Sequence, residues 1–273
     1  MGRGAGRRRG TVRERTLHGG SKALELGQGP PLLMLLMASE KDEFPRGLER
    51  WAELSAGVRA FAKHFTVTVP NAPVGIAPGS SMSDIAARYG DAIARDVGEP
   101  VFLHGVSTGG SVALQLAIDR PSLVRRLVLA GTACRLSEAG RSITAQSRRL
   151  IEAGDYRRAG LLWGEMVSRP LRYPTAAVGW LLGPGLVPDD PSSSLATMAA
   201  DEANDAEPHL GRVTAPTLVI GAERDVFYPP DLVRLTADGI PEARAVVFPG
   251  KSHAYAVGSR ASSSLALGFF LAG

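Results

Sequence analysis

Residues 101–119 read VFLHGVSTGGSVALQLAID, an apolar run that breaks at Gly105-Val106-Ser107-Thr108-Gly109 and resumes at once with Ser111, Val112, Ala113 and Leu114. The pattern predicts a buried strand, a very tight turn and the start of a helix, with Ser107 at the apex. Glycines two positions to either side of the serine have a steric reason. A turn sharp enough to project one hydroxyl presses strand and helix backbones together, where side chains would clash. The alternative is an ordinary turn serine, and the rest of the chain has to decide between them. A glycine-rich phosphate loop is disfavoured, because neither Gly-Lys-Ser/Thr nor G-x-G-x-x-G spacing occurs here.

Outward from that stretch, strand and helix patterns alternate. Thr11 to Leu17 and Lys22 to Leu26, separated by His18-Gly19-Gly20-Ser21, predict an antiparallel pair. Leu32 to Ala38 is continuously apolar, as expected of a central parallel strand covered on both faces. Leu48, Trp51, Leu54, Val58 and Phe61 lie on one helical stripe, Phe65 to Val69 reads as a strand, and Ser83 is placed to cap a helix buried through Ile85, Tyr89, Ile93 and Val97. Arg126 to Ala130 and Thr217 to Ile220 continue the strands. Pro230 to Ala237 is the next helix, Ala245 to Phe248 the last strand, and a helix through Leu267, Phe269 and Phe270 closes the chain. Strands alternating with helices specify a mostly parallel sheet with helices on both faces.

Residues 135–212 change character. Leu150, Ile151, Leu161, Leu162 and Trp163 have helical spacing, prolines at 170, 174, 184, 188 and 191 are expected to break the helices into short pieces, and no strand pattern appears. The expected organisation is therefore a basic tail over 1–10, a core over 11–134 and 213–273, and a helical insertion over 135–212.

Composition excludes several functional classes. With 273 residues, 44% hydrophobic and 21% charged, the chain is ordinary globular protein, long enough to bury a large core. The formal charge of +4 does not imply a nucleic-acid partner. Residues 1–15 hold six arginines against one glutamate, a net of +5, which leaves −1 for everything else. The tail MGRGAGRRRG has almost nothing apolar and reads as a solvated extension rather than an anion-binding arm. Leu32 to Met37 is too short and too far from the arginines for a targeting signal, and no stretch predicts membrane insertion. Cys134 is the one cysteine, a packing residue, so neither an intramolecular disulfide nor a thiolate metal site is expected. A reducing, cytoplasmic compartment follows as the simplest expectation.

Serine chemistry needs partners. A hydroxyl is a weak nucleophile near neutral pH and requires a base within hydrogen-bond reach, itself oriented by a carboxylate. Of five histidines, His18 falls in the first hairpin, His64 at a helix end, His104 inside the strand before the turn and His209 in the proline-broken region. His253 alone follows a strand through a loop, Pro249-Gly250-Lys251-Ser252, at the carboxyl edge where open parallel sheets bind ligands. Asp225, just past the strand Thr217 to Ile220, is the matching acid. Glu223 is the runner-up in the same loop, and Asp231 reads as a helix-start residue.

In that order, serine, acid and histidine on successive strand-end loops, the chain resembles an α/β-hydrolase. The resemblance rests on Gly105-Val106-Ser107-Thr108-Gly109 as nucleophile elbow, Gly221 with Asp225 and Pro229 as acid loop, and Gly250 with His253 as base loop, and it spans about Thr11 to Gly273. It implies an eight-stranded-type sheet, a helical cap after the sixth strand, a Ser107 nucleophile, a His253 base and an Asp225 orienter, with no cofactor and no metal. Two departures stand out. The strand that usually ends in His-Gly or Pro-Gly here ends Leu36-Met37-Ala38-Ser39, so by position Ala38 supplies the oxyanion N–H beside Thr108. The loop after Val69 lacks the family's Arg-Gly-x-Gly sequence. Met37, Trp163, Met166 and Trp180 are the expected lining of a partly apolar small-molecule pocket, with cap core as the competing role for the last three. A serine at the apex argues against the family's dehalogenases and epoxide hydrolases, which use aspartate there. Ester or related acyl hydrolysis is the expected activity. Lactone chemistry, carbon–carbon cleavage, cofactor-free oxidation, or ligand binding with an idle triad are the alternatives, and pairing of two apolar caps into a homodimer is left open.

Overall fold

The computed structural model describes residues 12–36, 43–47 and 56–272. The basic tail, Met37, Ala38 and the helical stripe through Leu48, Trp51 and Leu54 lie outside them.

Eight strands form one sheet in the order β1-β2-β4-β3-β5-β6-β7-β8. They are β1 (Arg13–Thr16), β2 (Lys22–Gly27), β3 (Pro31–Leu35), β4 (Thr66–Pro70), β5 (Val101–Val106), β6 (Val124–Ala130), β7 (Thr217–Ala222) and β8 (Ala243–Phe248). Only β2 runs against its neighbours; β4, β3, β5, β6, β7 and β8 are parallel. This is the α/β-hydrolase sheet, with helices inserted between the sixth and seventh strands.

The continuous apolar runs are explained by burial on two sides. Because side chains alternate along a strand, Leu33 and Leu35, Val101 and Leu103, Leu127 and Leu129, and Val219 enter one core. Their neighbours Leu32, Met34, Phe102, Val106, Val128, Ala130, Leu218 and Ile220 enter the other. Helices α2 (Met82–Ala92), α3 (Thr108–Asp119) and α8 (Pro230–Gly239) cover the first face, and α1 (Ala56–Phe61) and α9 (Arg260–Leu271) the second. His104 falls on the second face, packed against the Phe61 and Phe270 rings at 5.7 and 6.4 Å. Its buried Nδ1 has no hydrogen-bond partner, and burial holds its pKa down to about 4.

Three local expectations are corrected. The cap of α2 is Ser81, not Ser83. Ser81 and Asp84 exchange side-chain and backbone hydrogen bonds in a capping box, while the Ser83 hydroxyl donates to Asp119. Val97 is not buried with Ile85, Tyr89 and Ile93. The helix widens into a π turn over Ile93–Val97, which rotates the fourth position off the apolar stripe.

The third correction concerns the insertion expected to form a cap. Its helices are α4 (Glu138–Glu152), α5 (Tyr156–Leu161), α6 (Arg169–Leu186) and α7 (Ser192–Ala203). The prolines do not cut α6 short: it runs for 18 residues through Pro174 and Pro184. Pro170 lies in the first turn, where an N–H would be unsatisfied anyway. Pro184 cannot donate to the Trp180 carbonyl one turn back, and the Arg157 guanidinium donates there instead, at 3.4 Å. The α5–α6 hairpin closes on glycines, a Cβ on Gly160 lying only 2.0 Å from the Gly179 carbonyl oxygen.

Candidate active site

Every loop of interest leaves the sheet at its carboxyl edge, because β3, β5, β6, β7 and β8 are parallel. The turn between β5 and α3 is as sharp as its sequence demands. Ser107 has φ 52° and ψ −127°, the one non-glycine positive φ among the described residues. A Cβ on Gly105 would meet Ala113 Cβ and Gly110 Cα at 2.6 Å, and one on Gly109 would lie 2.1 Å from the Leu35 carbonyl oxygen. Glycine is therefore required on both sides of the serine. Leu35 is the last residue of β3, so the end of β3 abuts the elbow.

The structure brings Ser107, His253 and Asp225 into one line. Ser107 Oγ lies 3.1 Å from His253 Nε2, and His253 Nδ1 lies 2.7 Å from Asp225 Oδ2. Asp225 and His253 are buried, whereas Ser107 is half-buried. The other oxygen of Asp225, Oδ1, accepts the backbone N–H groups of Phe227 (2.9 Å) and Tyr228 (3.1 Å). A carboxylate held that way cannot rotate off the histidine. Phe227 and Tyr228 also pack their rings on the imidazole, Tyr228 nearly parallel to it at 25°. The acid and base loops are stitched together by Arg224 N–H donating to the Lys251 carbonyl, and the Glu223 carboxylate accepts from Gly250 N–H. Glu223 thus braces the loop, and Asp231 sits in the first turn of α8.

Ser107 is also the N-cap residue of α3, yet it makes no side-chain capping bond, since its hydroxyl faces His253 instead. Capping residues normally satisfy one of a helix's orphan N–H groups. Here the first N–H groups of α3, beginning with Thr108, are not served by that side chain.

A profile of the family described as serine aminopeptidase, S33 (Hydrolase_4), matches residues 78–257, well over half of the chain and the span holding all three residues. The chain belongs to this α/β-hydrolase family. Among relatives of this α/β-hydrolase, a Mycobacterium tuberculosis protein named as a candidate non-heme bromoperoxidase, BpoC, is 32% identical over 163 residues, 56% of the chain. The match spans 61% of that relative's own length. Its crystal structure superposes with a TM-score of 0.72 at 23% identity, covering 92% of this chain and 96% of that one. A hydrolase from Pseudomonas aeruginosa gives 0.72 at 20% identity over 99% and 100% of the two chains. An enol-lactonase from Burkholderia xenovorans gives 0.69 at 17% identity over 94% and 99%. These structural likenesses show the fold.

The other expected site residues are distributed as follows. Thr108 begins α3, and its Oγ1 donates to Asp201 Oδ2 at 2.9 Å. Trp163 and Met166 lie in a 3-10 turn, Leu162–Met166, where Trp163 packs against Gly179 of α6. Trp180 is 45% exposed, its ring under the Arg157 guanidinium at 4.4 Å. Those tryptophan contacts belong to the hairpin's own packing. Met37 and Ala38 lie outside the described residues.

Two residues near the site escaped the sequence reading. Tyr228 is fully buried, and burial together with the Asp201 charge pushes its phenol well above the usual value. Asp201, on cap helix α7, is only 4% exposed, and burial raises its pKa while the Ser111 and Thr108 hydroxyls pull it back. A signal existed for Asp201. It falls in register with Ser194 and Thr197 on the buried side of α7, an acid where an amphipathic helix places small uncharged residues.

Proposed function

We propose that this α/β-hydrolase is a serine hydrolase that cleaves a carboxylic ester or related acyl compound. What carries the reading is the unbroken relay from Ser107 Oγ through His253 to Asp225, at 3.1 and 2.7 Å, with the serine on a backbone turn that glycine geometry forces outward. Ser107 attacks the carbonyl carbon while His253 Nε2 takes the hydroxyl proton. Asp225 holds Nδ1–H and offsets the imidazolium charge. The tetrahedral oxyanion collects the N–H of Thr108, one of the groups at the head of α3 that the capping serine leaves to others, where the helix dipole also favours negative charge. By sequence position Ala38 is the second donor. His253 then returns the proton to the leaving group, and the same cycle with water releases the acid.

The inserted helices, over about 135–212, serve as the cap that confines the acyl group, with Trp163, Met166 and Met37 as its apolar contacts. Trp180 is a weaker candidate, since its ring is spent on Arg157. The substrate is a small, partly apolar molecule, and the chemistry needs no metal or redox group.

A fluorophosphonate probe should label wild type and leave Ser107→Ala unlabelled, with hydrolysis of p-nitrophenyl esters lost in parallel. Equal labelling of the two proteins would reject the assignment. A lactone is an internal ester, so opening of an enol-lactone is the second substrate class to assay, prompted by the name of the Burkholderia neighbour.

A further inference from the structure

Asp201 is a carboxylate with no ion-pair partner among the described residues. It is 4% exposed, and the charge acting on it is repulsive, from Glu202 beside it on α7. An isolated buried carboxylate costs several kcal/mol unless hydrogen bonds offset it. Thr108 Oγ1 supplies one such bond at 2.9 Å, and the nearby Ser111 hydroxyl also favours the charged form; both belong to the first turn of α3, directly after Ser107. The positive end of α3 lies there too.

The contacts continue toward the relay. Ser111 Oγ lies 3.5 Å from the Tyr228 hydroxyl, and Tyr228 stacks on His253 and donates its backbone N–H to Asp225. Ser111 thus stands between the cap's buried acid and the ring that braces base and orienter. Thr108, on the other side, carries the N–H assigned to the oxyanion. No part of the relay requires a carboxylate from the cap, and a cap serving only as a lid would cover this turn more cheaply with a small apolar residue. Ser111 is fully buried against the cap side of the turn, which leaves its hydroxyl dependent on such partners.

We propose that Asp201 is a positioning residue: from the cap it fixes the Thr108 side chain and the first turn of α3, and so holds the oxyanion donor in the orientation the transition state needs. This rests on the acyl-transfer reading above. Asp201 touches neither Ser107 nor substrate in this role. It couples the seating of α7 on the core to the alignment of the reacting turn, so a cap that is displaced leaves Ser107 present but its donor loose.

The consequence is a loss in kcat rather than in binding. A donor that acts only on the oxyanion is worth about 10²- to 10³-fold in kcat when removed outright. Loosening it should cost less, on the order of 10- to 100-fold, with KM changed no more than about twofold. Steady-state kinetics on a p-nitrophenyl ester should be measured for wild type, Asp201→Asn, Asp201→Leu, Thr108→Val and the double variant Asp201→Leu/Thr108→Val, with melting temperatures alongside. Asp201→Asn keeps an acceptor for Thr108 and should retain more kcat than Asp201→Leu, whichever melts higher. Thr108→Val should lower kcat in wild type and add little in the Asp201→Leu background, because both remove one interaction.

A folded Asp201→Leu protein with wild-type kcat, losses confined to KM, or fully additive losses in the double variant would each overturn the positioning role alone. If Asp201→Leu does not fold, Thr108→Val decides: kcat lowered at unchanged KM supports the role, and wild-type kcat overturns it. Wild-type protein that fails to label at Ser107 overturns the acyl-transfer reading and this role with it, so the two failures are distinguishable.

Discussion

Replacing Ser107 with glycine should make the protein more stable than replacing it with alanine, reversing the usual order. Both variants lose the hydroxyl and its contact with His253, so that interaction cancels in the comparison. What differs is the backbone. At φ 52° and ψ −127° an L side chain is strained, whereas glycine adopts the conformation freely. Such a conformation costs about 1–3 kcal/mol. Against it stands the extra chain entropy that glycine loses on folding, roughly 0.5–1 kcal/mol. The net expectation is about 1 kcal/mol in favour of Ser107→Gly, or about 2–4 °C in Tm for a chain of this size. Urea unfolding at neutral pH, with Cm read at a common m-value, measures it. Ala177→Gly on the exposed side of α6 is the control, and should lose about 1 kcal/mol. If Ser107→Ala proves as stable as Ser107→Gly, the turn is not strained and the account of the elbow fails.

Other predictions concern the relay, the cores and the cap. Asp225→Asn should leave the fold intact and lower kcat by about 10³- to 10⁴-fold, because the amide cannot hold the histidine in the working tautomer; a loss under tenfold would remove Asp225 as orienter. His104 is neutral in the folded state down to pH about 4 but takes a proton near 6.5 when unfolded, so its contribution is complete above pH 6.5 and is lost as pH falls toward 4. The loss should total about 3 kcal/mol, and His104→Phe, packed with Phe61 and Phe270, should show a correspondingly flatter stability profile between pH 7 and 4.5 in urea titrations. Identical profiles would refute the buried neutral histidine. Gly160→Ala pushes a methyl group against the Gly179 carbonyl, and should destabilise the α5–α6 hairpin by about 1–3 kcal/mol, visible as faster proteolysis within residues 156–186.

The fold was legible because its strongest signals are local. Apolar runs of strand length, the breaks between them and the glycines around Ser107 are consequences of backbone sterics and two-sided burial, both encoded within a few neighbouring residues. The serine, acid and histidine could be selected for the same reason: each follows a strand, and parallel strands deliver their loops to one edge. Where a decision depended on partners distant in sequence, local reading failed. Prolines read as helix breakers inside α6 because Arg157, 23 residues before Trp180, was not known to take the orphaned carbonyl. Ser83 does not cap because its hydroxyl donates to Asp119, 36 residues on; the Ser81–Asp84 capping box, by contrast, was a local pattern passed over.

Sequence by itself thus determined the sheet, the elbow and the residue types that could carry acyl chemistry. Tertiary structure alone decided what surrounds them. It placed Trp180 under Arg157 on an exposed face, stacked Tyr228 on His253, and set Asp201 against Thr108 across 93 residues of chain. Packing of the cap on the core creates that last contact. An acid is soluble and ordinary on a helix surface, and becomes a structural constraint only when burial removes the water that would otherwise solvate it.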